Sequence, residues 1–230
     1  MSRIAIIPAR GGSKRILKKN IRNFLGKPII AYAIENAINS KLFDEVMVST
    51  NDDDIIKIAE SYGAKVPFKR SEKNADDYAT TIDVITEVIS SYEKINRKFK
   101  YACCIYPCTP LLTKDKLKQS FSLLEKHRLD CVFPIVRFGF PIQRAVRLNQ
   151  NGLVEMFHAE HLITRSQDLE PAFHDAGQFY SFKVCDLISK QKLLTDNTGH
   201  IELLENEAQD IDNLVDWELA ELKYKMIYSI

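Results

Sequence analysis

Arg3-Ile4-Ala5-Ile6-Ile7-Pro8 is a short apolar run, and Ala9-Arg10-Gly11-Gly12-Ser13-Lys14-Arg15-Ile16-Leu17-Lys18-Lys19-Asn20 follows it as a polar loop. The apolar run carries no polar alternation, so it reads as a strand buried on both faces. Comparable runs recur at 45–50, 65–68, 101–106 and 131–136, with helix-period stretches at 28–39, 52–62, 80–95 and 114–127 between them. Pro28 belongs in the first turn of the first helix, Asn51 can cap the second, Gly63 closes it, and Thr113 caps the fourth. Strand and helix taking turns predict an α/β domain whose mostly parallel sheet is covered on both faces.

The rhythm breaks near Arg137. Residues 137–176 are rich in Pro, Phe, Gln, Arg and His and show no sustained period. A strand at 177–184 and an amphipathic helix at 213–226 follow. The 230 residues therefore read as one domain, 1–230, with 137–176 inserted into it. Thirty-two basic and 31 acidic residues leave a net charge of +1, which argues against a nucleic-acid partner. Pro8 and Arg10 cut the first apolar run far short of a signal-peptide core or a membrane span. The five cysteines are odd in number and form no Cys-x-x-Cys pair, so free thiols in a reducing cytoplasm are expected.

Between Arg10 and Lys27 there are seven basic residues and no acidic one. Open α/β sheets bind ligands beyond the carboxyl ends of their strands, where this loop must lie. Adjacent glycines let successive N–H groups converge on an anion, and the lysines and arginines add charge. Neither the Gly-x-x-x-x-Gly-Lys pattern nor Gly-x-Gly-x-x-Gly occurs. A phosphate-rich small ligand is the expectation. A second signal lies far along the chain, at Asp210-Ile211-Asp212. In an extended segment the two carboxylates share one face, as Mg²⁺ requires of its oxygen ligands, although Asp212 could instead cap the helix that follows. Asp52, Asp53 and Asp54 open a helix, where acidic residues favour the macrodipole.

Ile7-Pro-Ala-Arg-Gly-Gly-Ser-Lys14 with Lys19-Asn20 resembles the opening signature of the CMP-sialic acid synthetases, the acylneuraminate cytidylyltransferases. Gly26-Lys27-Pro28, Val48-Ser49-Thr50, Pro67-Phe68-Lys69-Arg70, Gly177-Gln178-Phe179-Tyr180 and Asp210-Ile211-Asp212 extend the likeness. The resemblance implies a Rossmann-like, three-layer nucleotidyltransferase fold and CTP as a substrate. It places Arg10, Lys14 and Lys19 on the triphosphate, with Ala9, Gly11, Gly12, Ser13, Asn20 and Arg70 around the nucleotide. It makes Asp210 and Asp212 the ligands of Mg²⁺.

The sialate enzymes carry Gln-Pro-Thr-Ser-Pro-Leu-Arg where this chain has Tyr106-Pro107-Cys108-Thr109-Pro110-Leu111-Leu112. That segment, the insertion and the run to Tyr180 look more like the pseudaminic acid branch of the family. A nonulosonic acid presents a carboxylate, for which a planar arginine is a natural partner. Gln143, Arg144, Arg165, Gln167, His174 and Gln178 are therefore sugar-site candidates. The resemblance also makes the insertion the interface of a homodimer. His158 and His161 flank Glu160 without a third ligand at suitable spacing, so a helix-face or interface role is expected of them. N-acetylneuraminic acid and the eight-carbon Kdo remain alternative acceptors, and a glycosyltransferase or a non-catalytic nucleotide-binding module remain alternatives of another kind.

Overall fold

The computed structural model describes residues 2–229, and β1 (Arg3–Pro8) lies deep within it, every residue from Ile4 to Ile7 being fully buried. The loop after β1 leads to two short strands, β2 (Asn23–Phe24) and β3 (Lys27–Pro28), which pair as a ribbon. Then come α1 (Ile29–Ser40), β4 (Glu45–Ser49), α2 (Asp53–Ser61), α3 (Thr81–Lys94), β5 (Tyr101–Ile105), α4 (Lys114–Lys126) and β6 (Cys131–Arg137). The segment that follows holds a small hairpin, β7 (Val146–Leu148) and β8 (Val154–Met156), and then β9 (Phe173–Asp175). The chain finishes through β10 (Phe179–Lys183), α5 (Val184–Lys190), β11 (Thr198–Leu203) and α6 (Leu214–Tyr228).

The main sheet runs β11-β6-β10-β5-β1-β4, with β9 joined to β6. β1 is parallel to both β4 and β5, and β11 is parallel to β6. β10 is antiparallel to both its neighbours and β9 is antiparallel to β6. The mostly parallel sheet stands as expected, with a reversed strand inside it. Side-chain alternation along β1 serves both faces. Ala5 and Ile7 pack with Ile30 and Ile34 of α1, Ile55 of α2 and Phe121 of α4. Ile4 and Ile6 pack with Ile85, Val88 and Tyr92 of α3 and Leu187 of α5. Helices on both faces make three layers, and burying each Ile or Phe in them contributes about 1.5–3 kcal/mol.

Several boundaries differ from the sequence reading. The residue capping α2 is Asp52, not Asn51: its Oδ1 accepts from the Asp54 and Ile55 N–H groups at 2.8 and 3.1 Å. Pro28 is the cap of α1 and not a residue of its first turn. The strand expected at 65–68 shrinks to one bridge between Lys65 and Met47, because Pro67 offers no ladder donor. Asp212 is not the cap of α6, since Asn213 takes that place through the Val215 and Asp216 N–H groups. The amphipathic promise of α6 is half met: Trp217 and Ala220 are buried, while Leu214, Val215, Leu222 and Met226 remain exposed.

Candidate active site

From β1 the chain crosses to β4 on one side and later returns to β5 on the other, so the carboxyl end of β1 is a topological switch point. The basic loop lies there. Its shape owes less to the glycines than expected. Neither Gly11 nor Gly12 has a positive φ; the left-handed residue of the loop is Lys18, at φ 50°. Gly11 is needed for closeness instead, since a Cβ there would stand 2.3 Å from Asp52 Oδ2. Gly12 faces open space. Ile16 is buried with Phe24, Ile29, Tyr32, Ile211 and Trp217, so one cluster ties the loop, α1 and the Asp210–Asp212 segment together.

A cleft of about 230 Å³ opens over the loop. It is lined by Arg10, Ser13, Lys14, Lys19 and Asn20 on one side and by Tyr106, Cys108, Gly177, Asp210 and Ile211 on the other. Lys19 Nζ donates to the Ile211 carbonyl at 2.6 Å, which joins the loop to the acidic segment directly. Asn20 is buried, and its Nδ2 donates to the Arg10 carbonyl at 2.8 Å. The Cys108 thiol donates to Asn20 Oδ1 at 3.3 Å, and burial pushes that thiol up to about 12. Thus the motif residues and the distant Asp-x-Asp meet in one place.

Ile211 is buried between Asp210 and Asp212, as the extended reading required. The walls of the cleft take water from the Asp210 carboxyl and Asp212 adds like charge, so the Asp210 pKa is raised. Asp212 Oδ1 accepts from Arg15 at 2.7 Å. Two hard oxygen donors crowded together suit a divalent cation, and Mg²⁺ commonly takes one or two carboxylates and completes its shell with water and phosphate oxygens.

A second lobe of about 230 Å³ shares Pro8, Arg10 and Tyr106 with the first and is walled by Arg70, Asn74, Asp76, Asp77, Thr80 and Thr81. Arg70 is fixed by donating from Nε to Ser49 Oγ at 3.0 Å and from its terminal nitrogen to the Ser49 carbonyl at 2.5 Å. Burial lowers its pKa to about 10, partly offset by Glu87. Tyr106 Oη lies 3.1 Å from Thr81 Oγ1 and its ring meets Tyr180 edge-on, so it forms the partition between the lobes. Asp77, Asn74, Thr80 and Thr81 were not singled out from sequence. An acidic doublet before a Thr-x-x-Asp cap looks like ordinary solvated surface.

The sugar-site candidates behave differently. Gln143 Nε2 donates to the Glu170 carbonyl, Arg144 to the Thr164 carbonyl, and Arg165 pairs with Asp168. Gln167 lines a separate hollow of about 480 Å³ between the insertion and the end of β11. His174 leans on Phe138. None of these five lines either lobe within the one chain. Gln178 is buried and its Nε2 donates to the Glu207 carbonyl at 2.7 Å, so its amide serves the fold. His158 and His161 meet ring to ring at 6.3 Å, with Glu160 3.3 Å from His158.

A basic loop at the switch point facing Asp210 across a cleft with a side lobe is an arrangement suited to a nucleotidyltransferase. The model of the cytidylyltransferase family matches residues 4–225, and the chain belongs to that family. It is 43% identical over 226 residues to a pseudaminic acid cytidylyltransferase of Campylobacter jejuni, covering 98% of this chain and 97% of that protein. It is 31% identical over 218 residues to an N-acylneuraminate cytidylyltransferase of Oncorhynchus mykiss, covering 94% of this chain and 49% of that one. In fold it matches CMP:2-keto-3-deoxy-manno-octonic acid synthetase solved with CTP, at a TM-score of 0.71 and 16% identity over 100% of both chains. Among the described residues, no helix is long and apolar enough to cross a membrane.

Proposed function

We propose that this protein converts CTP and a nonulosonic acid, pseudaminic acid above others, into the CMP-activated sugar and pyrophosphate. The observation that carries the reading is the meeting of Arg10, Lys14 and Lys19 with Asp210 at one cleft. The relatives supply the sugar.

The anomeric hydroxyl attacks the α-phosphorus in line, the bond to the bridging oxygen breaks, and pyrophosphate leaves. Arg10, Lys14 and Lys19 hold the triphosphate and stabilise the charge that builds on it, which is where most catalysis of phosphoryl transfer resides. The loop backbone at Gly11 and Gly12 offers N–H groups to the phosphates, with Asn20 fixing the Arg10 carbonyl below them. The Ala9 and Ser13 N–H groups brace the loop instead, by donating to the Ser49 and Gly11 carbonyls. The nucleoside takes the second lobe beside Arg70. Asp210 and Asp212 would hold Mg²⁺, which supplies positive charge to phosphate oxygens and acidifies a nearby hydroxyl.

Residues 137–176 form the interface of a homodimer within the single domain. Val146, Leu148, Val154 and Phe157 of the hairpin region are all more than half exposed, a surface suited to a second copy. Pairing carries Gln143, Arg144, Arg165, Gln167 and His174 toward the partner's cleft, where they meet the sugar carboxylate. The five free cysteines and the use of CTP agree with action in the cytoplasm.

The test is pyrophosphate release with CTP and Mg²⁺, run in parallel on pseudaminic acid, N-acetylneuraminic acid and Kdo. Release with pseudaminic acid is expected, and Lys19→Ala is expected to lower it about 10²- to 10³-fold. Preference for another acid overturns the sugar assignment. Unchanged turnover of Lys19→Ala overturns the site.

A further inference from the structure

The triphosphate cations of the basic loop already hold an anion. Asp77 sits on the segment before α3, and its two carboxylate oxygens go to two different cations. Oδ1 accepts from Arg10, whose same nitrogen also donates to the Asp76 carbonyl at 2.9 Å. Oδ2 accepts from Lys14 Nζ at 2.5 Å. The hydrogen bonds from Lys14 and Arg10 hold the Asp77 carboxyl below the ordinary carboxylate range, so it is charged at neutral pH.

The local geometry separates this contact from the upkeep of the segment. Asp76 builds the turn: its Oδ1 accepts from the Tyr78 and Ala79 N–H groups at 2.9 and 2.8 Å. Thr80 and Asp83 cap α3 with a reciprocal pair. Among the described residues the Asp77 carboxylate bonds only to Arg10 and Lys14, and to nothing in its own segment. It can leave without unravelling the turn. Arg10 lines both lobes and Lys14 lines the first, so the bridge spans the ground between them.

We propose that Asp77 is an internal stand-in for the triphosphate, a positioning residue that keeps Arg10 and Lys14 aimed at the cleft until polyphosphate displaces its carboxylate. This rests on the reading of the loop as the triphosphate site. A carboxylate with one negative charge and two oxygens imitates one phosphate group. It prevents the two cations from repelling each other or swinging into solvent, and it competes with any polyanion of lower charge. A triphosphate offers more charge and more oxygens and takes its place. Asp77 thereby lowers the affinity of the site for all anions by one factor, so that weak ones such as a monophosphate leave it unoccupied at concentrations where a triphosphate fills it.

The consequence runs against the usual effect of removing a charged residue from a binding site. Asp77→Asn keeps the shape and releases the cations, so it tightens anion binding. The exchange of two partly exposed ion pairs sets the scale at about two- to ten-fold. The gain is one common factor for every ligand that must displace the carboxylate, because each binds only the fraction of molecules whose site is vacated.

The experiment is calorimetric titration of the full-length protein with CTP, pyrophosphate and CMP in the presence of Mg²⁺, for wild type, Asp77→Asn, Asp77→Ala and Asp54→Asn. Asp54 pairs with Lys18 at 2.8 Å on the same loop, and its removal changes the loop's charge by the same amount. Tighter binding in both Asp77 variants, by one factor common to CTP, pyrophosphate and CMP, and no comparable change in Asp54→Asn support the proposal. Weaker or unchanged binding in the Asp77 variants overturns it, as does equal tightening in Asp54→Asn, which would reduce the effect to net charge. Wild type that fails to bind CTP would instead sink the site itself, and the stand-in with it.

Discussion

Gly11→Ala offers a test of how the basic loop is held. A Cβ at this position would stand 2.3 Å from Asp52 Oδ2 and 2.9 Å from Asp52 Cβ. A change of side-chain rotamer relieves the first clash by swinging the carboxylate, but Oδ1 then leaves the Asp54 and Ile55 N–H groups that it caps. Losing that cap costs about 1 kcal/mol. No rotamer relieves the second clash, because Cβ is fixed to the backbone, so the loop itself must retreat. Displacements approaching 1 Å in a catalytic constellation cost about 100-fold in rate. Gly11→Ala should therefore lose about 1–2 kcal/mol of stability, a fall in Tm of roughly 2–8 °C, with turnover reduced about 10- to 100-fold. Asp52→Gly removes the obstructing atoms and itself forgoes only a few tenths of a kcal/mol relative to a side-chain cap. A double-mutant cycle by thermal unfolding and pyrophosphate release decides the matter. The Gly11→Ala/Asp52→Gly protein should recover most of the turnover, with a coupling near 1–2 kcal/mol. Gly12→Ala, with no protein atom within 4 Å of the added Cβ, should match wild type in thermal unfolding. Additive effects in the cycle, or a Gly11→Ala protein as benign as Gly12→Ala, would refute the close approach to Asp52.

Four further outcomes are expected. Burial alone would raise the Glu45 carboxyl, but hydrogen bonds from Arg97, Lys65 and Tyr92 outweigh it and hold its pKa below 4.5. Its contribution to stability is thus complete above pH 4.5 and vanishes as pH falls through the lower folded value; Glu45→Gln should have a lower Tm at pH 7 and a flatter Tm profile between pH 3 and 5. Gly177 has φ +63° with Asp210 no nearer than 3.8 Å to an added Cβ, so Gly177→Ala should cost about 1 kcal/mol through backbone strain alone; unfolding in urea measures it. Removing divalent cations with EDTA should stop pyrophosphate release, and Asp212→Asn should raise the Mg²⁺ concentration needed for half-maximal rate. Leu148→Lys with Val154→Glu should convert a dimer to a monomer in sedimentation and raise the KM for the sugar more than that for CTP.

The nucleotide half was legible because its elements announce themselves physically. β1 and β5 are apolar on both faces, α1 to α4 keep the helical period, and the loop's unmixed charge sets it apart from the rest of the surface. The carboxyl-terminal half hid its structure. α5 spans only seven residues, too few to show a period, and β11, Thr-Gly-His-Ile-Glu-Leu, carries polar residues in a strand at the sheet's edge. The reversal of β10 was invisible, since direction in a sheet depends on which strands lie alongside and not on composition. The same holds for the site. Lys19 and Asp210 could be named from motifs, yet the bridge from Asp77 to Arg10 and Lys14 joins segments more than 60 positions apart and leaves no periodic trace.

The way residues 137–176 leave and rejoin the sheet has an evolutionary meaning. β9 pairs with the end of β6 in the register Arg137↔Phe173, and the Phe138 N–H donates to the Ala172 carbonyl. Departure and return are therefore neighbours on one ladder, like the two ends of a cartridge seated in a single slot. What the cartridge contains can lengthen, shorten or be exchanged while β1, its loop and the Asp210–Asp212 segment keep their geometry. A lineage can thus keep the cleft at the end of β1 intact while one contiguous stretch of chain is replaced; on the proposed sugar site, that stretch is where the choice of sugar acid would change.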